Sequence, residues 1–201
     1  SDFAAGQAKT GKVTIAAGQT TATIPIAVNG DTTLEADDTF TVMLGTPETT
    51  NAALGAAKVG AGQITNDDQA TVTIANVTQT EGNSGTKNFD FTVSLDKAAE
   101  IDVVVPWTFA HVTTNNTDFG GNSPTTSGKV TIAAGSTTGT ITGFVVSGDT
   151  VLEADETFTV TLGAPETTGA VLGAAKVGTG TITNDDQVTV TINSFSKAEG
   201  N

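Results

Sequence analysis

The chain reads as an all-β protein built from tandem immunoglobulin-like antiparallel Greek-key sandwiches, with about seven strands per complete repeat. Three observations predict this. Threonine, valine and isoleucine alternate in short runs such as ATVTI (70–74), TGTI (138–141), TFTVTL (157–162) and GTGTITN (178–184). Period-two alternation of β-branched residues is the pattern of half-buried strands. Turn signals separate the runs: EGNSG at 81–85, TNNTDFGGNSP at 114–124, AAGS at 133–136 and SGDT at 147–150. Residues 31–69 and 149–187 also align without a gap at an offset of 118, with 31 of 39 positions identical. A period that long repeats a whole domain, as beads on a string.

In order along the complete repeat, strands are expected near 70–80, 87–95, 101–109, 128–133, 138–147, 156–163 and 177–184. Their inward positions are Val72, Ile74, Phe89, Phe91, Val93, Val103, Val105, Trp107, Val130, Ile132, Ile141, Phe158, Val160, Leu162 and Ile182. Trp107 is read as an inner-face anchor and not as a ligand-binding aromatic. GAPETTGAVLGAAK (163–176) is read as a long connection between strands.

The repeat frame sets expected domain boundaries. Residues 69–186 are a complete repeat. Residues 1–68 are the C-terminal part of an earlier one, because the Ser1–Phe3 head restates Thr117–Phe119 and GKVTIAAG (11–18) restates 128–135. Residues 187–201 restate 70–83 and are expected to be the first strand of a following repeat. The expected origin is a segment of a longer array.

Composition narrows the function. The net charge is −14, and all eight basic residues are lysines. Nucleic-acid binding and attraction to an anionic membrane both need a basic face, so neither is expected. No apolar run approaches the roughly 18 residues of a membrane span. With no cysteine there is no disulfide framework and no thiolate metal site.

The acids are concentrated in loops. In the expected topology the turns holding Glu81 and Asp118, the loop from Gly148 to Glu156 and the exit Asn184-Asp185-Asp186 reach one end of the sandwich. Two carboxylates about 5 Å apart repel by about 3 kcal/mol at an effective dielectric near 20. Such a group is either splayed into water or gathered around a hard cation. Calcium, with its 6–8 oxygen ligands in flexible geometry, suits it better than the stricter octahedron of magnesium. Zinc is disfavoured by a single histidine and no cysteine. The spacing is not that of an EF-hand.

Several linked motifs then occur in order: T-E-G-N-S-G, a mid-repeat D-F, G-D-x-x-L-E-A-D-E-T-F-T-V-x-L and G-x-G-T-I-T-N-D-D. Together they resemble the Calx-beta domain, found in sodium–calcium exchangers, integrin β4 and very large bacterial surface proteins. The resemblance implies a seven-stranded sandwich with calcium held at one tip. Carried over, it points to Glu81, Asp118, Asp149, Glu153, Glu156, Asp185 and Asp186, leaving Asp155 outside the coordinating set. In the first repeat it points to Asp2, Asp31, Glu35, Asp38, Asp67 and Asp68. This sequence departs from the exchanger pattern twice. Asn184 stands where three consecutive aspartates begin, and Gly148 stands where a second acid precedes Asp149. Fewer carboxylates imply one or two ions in place of a larger cluster.

No catalytic constellation is visible. His111 is read as a surface residue without triad partners. The expected function is a calcium-binding structural repeat of a large secreted or cell-surface protein, a calcium-stiffened spacer in an adhesin-like array. Its expected partners are neighbouring repeats of the same chain. The alternative is a subunit of a self-assembling extracellular filament or matrix, joined by strand exchange through the C-terminal strand.

Overall fold

A computed structural model describes residues 2, 3 and 9–200. Ser1, part of the repeated head, lies outside the described residues. Among those described there is no helix, and none therefore is long and apolar enough to cross a membrane. Residues 70–183 fold as a two-layer sandwich. Its strands are β3 (Ala70–Ile74), β4 (Val77–Thr80), β5 (Thr86–Asn88), β6 (Phe91–Leu95), β7 (Val103–His111), β8 (Ser127–Ile132), β9 (Thr138–Ile141), β10 (Val145–Ser147), β11 (Glu156–Leu162), β12 (Ala170–Leu172) and β13 (Val177–Thr183). Before them come β1 (Asp38–Met43) and β2 (Val59–Ile64), paired antiparallel with Asp38 opposite Ile64.

One layer has the order β4-β13-β11-β7-β8 and the other β12-β3-β6-β9, while β5 and β10 form a short ladder of their own. Three strands expected to be continuous are broken. The 70–80 strand changes sheets at Ala75-Asn76. Ala75 N there donates to Thr92 O, and Asn76 Oδ1 accepts from Thr179 N, so the crossover leaves these groups satisfied. The 87–95 and 138–147 strands break opposite each other. Gly143 takes a φ of 101° at the second break, and Phe89 N donates to Phe144 O across the gap. Both breaks turn phenylalanines inward.

The 163–176 segment, expected to be a plain connection, contains β12, which runs parallel to β3 with Ala170 opposite Ala70. Three residues are too few to show a period. Thr167 anchors the approach, donating to Asp102 O and accepting from Val104 N.

Every inward position named from the alternation is buried, Trp107 included. Phe158 is the centre of the aromatic core. Its ring lies 5.4–5.8 Å from those of Phe89, Phe91, Phe109, Phe119 and Phe144. Trp107 meets Phe144 edge-on at 5.6 Å. His111 ends β7 and is exposed. Its ring nitrogens lie within hydrogen-bonding distance of Thr114 Oγ1 and Asn116 Oδ1.

The first part keeps local features of the complete repeat. Phe3 and Phe40 meet edge-on at 5.5 Å, as Phe119 and Phe158 do. Lys12 pairs with Glu48 as Lys129 pairs with Glu166. Residues 11–16 nevertheless form no strand, although their counterpart is β8. β8 is held by β7, and residues 1–68 contain no counterpart of β7. The tail behaves likewise. Val190 and Ile192 are 90% and 97% exposed, whereas their counterparts Val72 and Ile74 are buried between β6 and β12 neighbours.

Candidate metal centre at the acidic tip

The tip is assembled by backbone devices. Asp149 Oδ1 accepts from Val151 N at 2.7 Å, an Asx turn that opens the acidic loop, and Asp31 does the same with Thr33 N. Asn184 stitches that loop to the exit strand. Its Oδ1 accepts from Glu153 N, its Nδ2 donates to Asp186 O, and its backbone N donates to Asp155 Oδ1. Asn66 repeats all three bonds with Glu35, Asp68 and Asp37. A carboxylate at 184 has no N–H to give the Asp186 carbonyl, so asparagine here serves the scaffold. Asp155 is engaged in that same stitch, outside the carboxylate cluster. Asn184→Ala is expected to cost about 2 kcal/mol, read as a lower midpoint in chemical denaturation.

The structure brings the seven sequence-predicted residues of the complete repeat to this end. Carboxylate oxygens of Asp118, Glu153 and Glu156 lie within 4.8 Å of one another. Burial, and then the charges of Glu153, Asp149, Asp186 and Asp185, push Glu81 up to about 7. Burial, a hydrogen bond to Asp118 and the charges of Asp118, Glu153 and Glu81 push Glu156 up to about 7. Glu153 and Asp186 are also raised, each first by burial and then by neighbouring acids. None of them forms a salt bridge: the two found among the described residues lie elsewhere, and Lys87, beside the Glu81-Gly82 turn, gives its Nζ to Thr80 Oγ1. Asp185 Oδ1 accepts from Gly82 N, and Asp118 Oδ2 from Asn115 N. Asp186, only 6% exposed, keeps Oδ2 without a hydrogen-bond partner.

The pH dependence follows in sign. Folded Glu81 and Glu156 hold protons up to about pH 7, whereas an unfolded glutamate releases its proton near 4.5. The folded state thus binds more protons between those values. In chelator, the stabilisation is complete below about pH 4.5 and is lost as pH rises through 7. Thermal melts in EDTA at pH 5.5 and pH 8 are expected to show the higher midpoint at pH 5.5.

The first repeat is less complete. Glu35 is held above the usual carboxylate range, first by burial and then by Asp31, Glu100 from the following repeat, Asp2 and Asp38. Asp67 and Asp68 follow the Asn66 stitch, which holds the Asp68 carbonyl. Glu100 carries no signal in the repeat frame. It belongs to a loop at the far end of the next sandwich, and only the joint between repeats brings it close.

Gly148 has a steric cause. A Cβ there would lie 1.9 Å from Gly82 O and 2.8 Å from Glu81 O. The Glu81 turn packs directly on this position, and an acidic side chain does not fit.

A family model described as the Calx-beta domain matches residues 2–78 and again residues 65–187. The chain belongs to the Calx-beta domain family. Among solved structures it is similar to the apo-form Calx CBD1 domain, at 20% identity and a TM-score of 0.48, covering 59% of this chain and 100% of that one. It is also similar to the Calx CBD2 domain, at 14% identity and a TM-score of 0.46, covering 57% and 86%. The calcium binding domain CBD12 of CALX1.1 is similar at 20% identity and a TM-score of 0.47. There the match covers 57% of this chain and 44% of that one. None of the curated proteins compared matches the chain.

As a Calx-beta tip, this arrangement offers oxygen ligands alone: carboxylates from four segments gathered at one end, with the protons of Glu81 and Glu156 available for exchange against a cation. Hard cations take such donors. The site has no nucleophile paired with a base and no phosphate-binding loop.

Proposed function

We propose that the acidic tip binds calcium and that the repeats act as calcium-stiffened spacers in a larger extracellular or cell-surface protein. One observation carries the reading. Seven carboxylates converge with no salt bridge to any of them among the described residues, and the buried Asp186 Oδ2 is left without a partner. A cation supplies both the missing charge and the missing contact. Asp149, Glu153, Asp186, Asp118 and Glu81 would hold it, with Glu156 releasing its proton to join. Extracellular calcium, at millimolar levels, would fill even a weak site. In the first repeat, Asp31, Glu35, Asp38 and Asp2 would make a poorer site, with Asp67 and Asp68 beside the exit into β3.

Titration calorimetry of the full chain tests this. Binding heat at pH 8 that disappears when Asp149, Glu153 and Asp186 are changed to alanine supports the tip. No heat up to several millimolar calcium leaves the acids as a solvated surface and the repeats as passive spacers.

A second reading rests on the tail, whose Val190, Ile192 and Phe195 are at least 90% exposed. A segment that repeats the β3 alternation but leaves its apolar residues bare is suited to pairing as a strand with a neighbouring molecule in a filament. Fibres that vanish on deletion of residues 187–201 would favour it.

A further inference from the structure

Two leucines occupy the same place in the repeated acidic loop, Leu34 in D-T-T-L-E-A-D and Leu152 in D-T-V-L-E-A-D. Their environments are opposite. Leu34 is fully buried and belongs to the hydrophobic core of the sandwich that follows it, whereas Leu152 is 51% exposed beside Val151 at 55%. The two stretches differ only in Thr33 against Val151, so the opposite burial of the leucines answers to what surrounds each loop.

What surrounds Leu34 is a socket on the next repeat. A Cβ on Gly169 would stand 2.4 Å from Leu34 Cδ1, so the leucine occupies the space that glycine leaves open. The backbone is pinned on either side. Glu100 N donates to Leu34 O at 2.9 Å, and Lys97 Nζ donates to Thr32 O. Ala99, between those two donors, is 2% exposed. Gly169 has a φ of 85°, and its counterpart Asn51 adopts 67°. The turn therefore accepts asparagine, and the absence of a side chain at 169 answers to the knob.

We propose that the leucine of the acidic loop is a docking knob for the following repeat, and that Leu152, with Val151, is the free half of a second joint of the same kind. Its partner is a Calx-beta repeat presenting the socket found here, a small-residue turn like Gly169 facing a Lys-Ala-Ala-Glu loop like 97–100. The sequence continues from Asp186 into a restatement of β3, as it does from Asp68 into β3 itself, which delivers the partner to the correct end. The knob shares its loop with the proposed calcium ligands, but the joint is an apolar contact that stands or falls without calcium.

The test lengthens the full chain: residues 1–187 followed in frame by a second copy of 70–201, so that Leu152 meets an intact socket. Amide exchange over residues 149–155 is measured in excess EDTA, which separates the result from any calcium effect. Exchange is expected to be on the order of tenfold slower than in the 201-residue chain, and Leu152→Ser is expected to abolish the difference. Leu152 is exposed in the shorter chain, so this variant folds there and serves as its own control. Equal exchange in the two chains would overturn the proposal, as would protection that persists in Leu152→Ser. Sedimentation of the 201-residue chain is expected to show a monomer, because Leu34 already fills its one complete socket. A dimer lost on Leu152→Ser would also overturn the in-line joint.

Discussion

In calcium at 100 times the dissociation constant, the protein is expected to melt on the order of 10 °C higher than in EDTA at pH 8. Saturating one site to that degree adds about 2.7 kcal/mol, and a domain of this size shifts by several degrees per kcal/mol. The effect has a specific source. At pH 8 Glu81 and Glu156 have lost the protons that relieve the tip at lower pH, so the ion-free repeat is near its least stable. At pH 5.5 the gain is expected to shrink at equal calcium, because the ion must displace those protons before the oxygens can coordinate it. Differential scanning calorimetry with and without EDTA at both pH values reads the four midpoints. A calcium shift that is the same at both pH values would remove Glu81 and Glu156 from the site.

Gly148→Asp is expected to fail in the complete repeat, costing about 3 kcal/mol or more by overpacking against backbone. The substitution looks like a gain, since it restores the second acid of the exchanger pattern. But the new Cβ would sit 1.9 Å from Gly82 O, against main chain and not against a side chain that can turn away. The backbone there is also committed: Gly148 N donates to Gly85 O, and Ser147 N to Asp118 O. Accommodation would therefore pull the Glu81 and Asp118 turns apart and dismantle the tip. Gly30→Asp is the control. Its surroundings are open, with nothing within 4 Å of an added Cβ, so it is expected to change the urea midpoint little, while Gly148→Asp lowers it by about 1–2 M.

Much of the sandwich was legible because alternation reports which side of a strand is buried. Val103, Val105 and Trp107 lie on one face of β7, and all are buried. Phe119 and Phe144 escaped that logic, since one lies in a turn and the other at a strand break. Both are core residues only because the chain bends there. The acidic tip was legible as a set of loops sharing one end. The scaffold roles of Asn184 and Gly148 were not, because each depends on a segment distant in sequence: Glu153 and Asp155 for one, the Glu81 turn for the other. Leu34 was hidden for a similar reason. Its partners belong to another repeat, and the one nearby difference, Thr33 against Val151, does not report which leucine is buried.

The parallel pairing of β4 with β13, from Val77 opposite Gly180 to Thr80 opposite Thr183, has a mechanical consequence. The chain enters the sandwich just before β3 and leaves just after β13. A pull on the two ends therefore slides these neighbours past each other in opposite senses. Their hydrogen bonds then share the load side by side and must give way together, whereas a hairpin pulled from its open end would lose them one at a time. The sheet change at Ala75-Asn76 places β4 beside β13, and so a bend of two residues makes each repeat resist traction along the array.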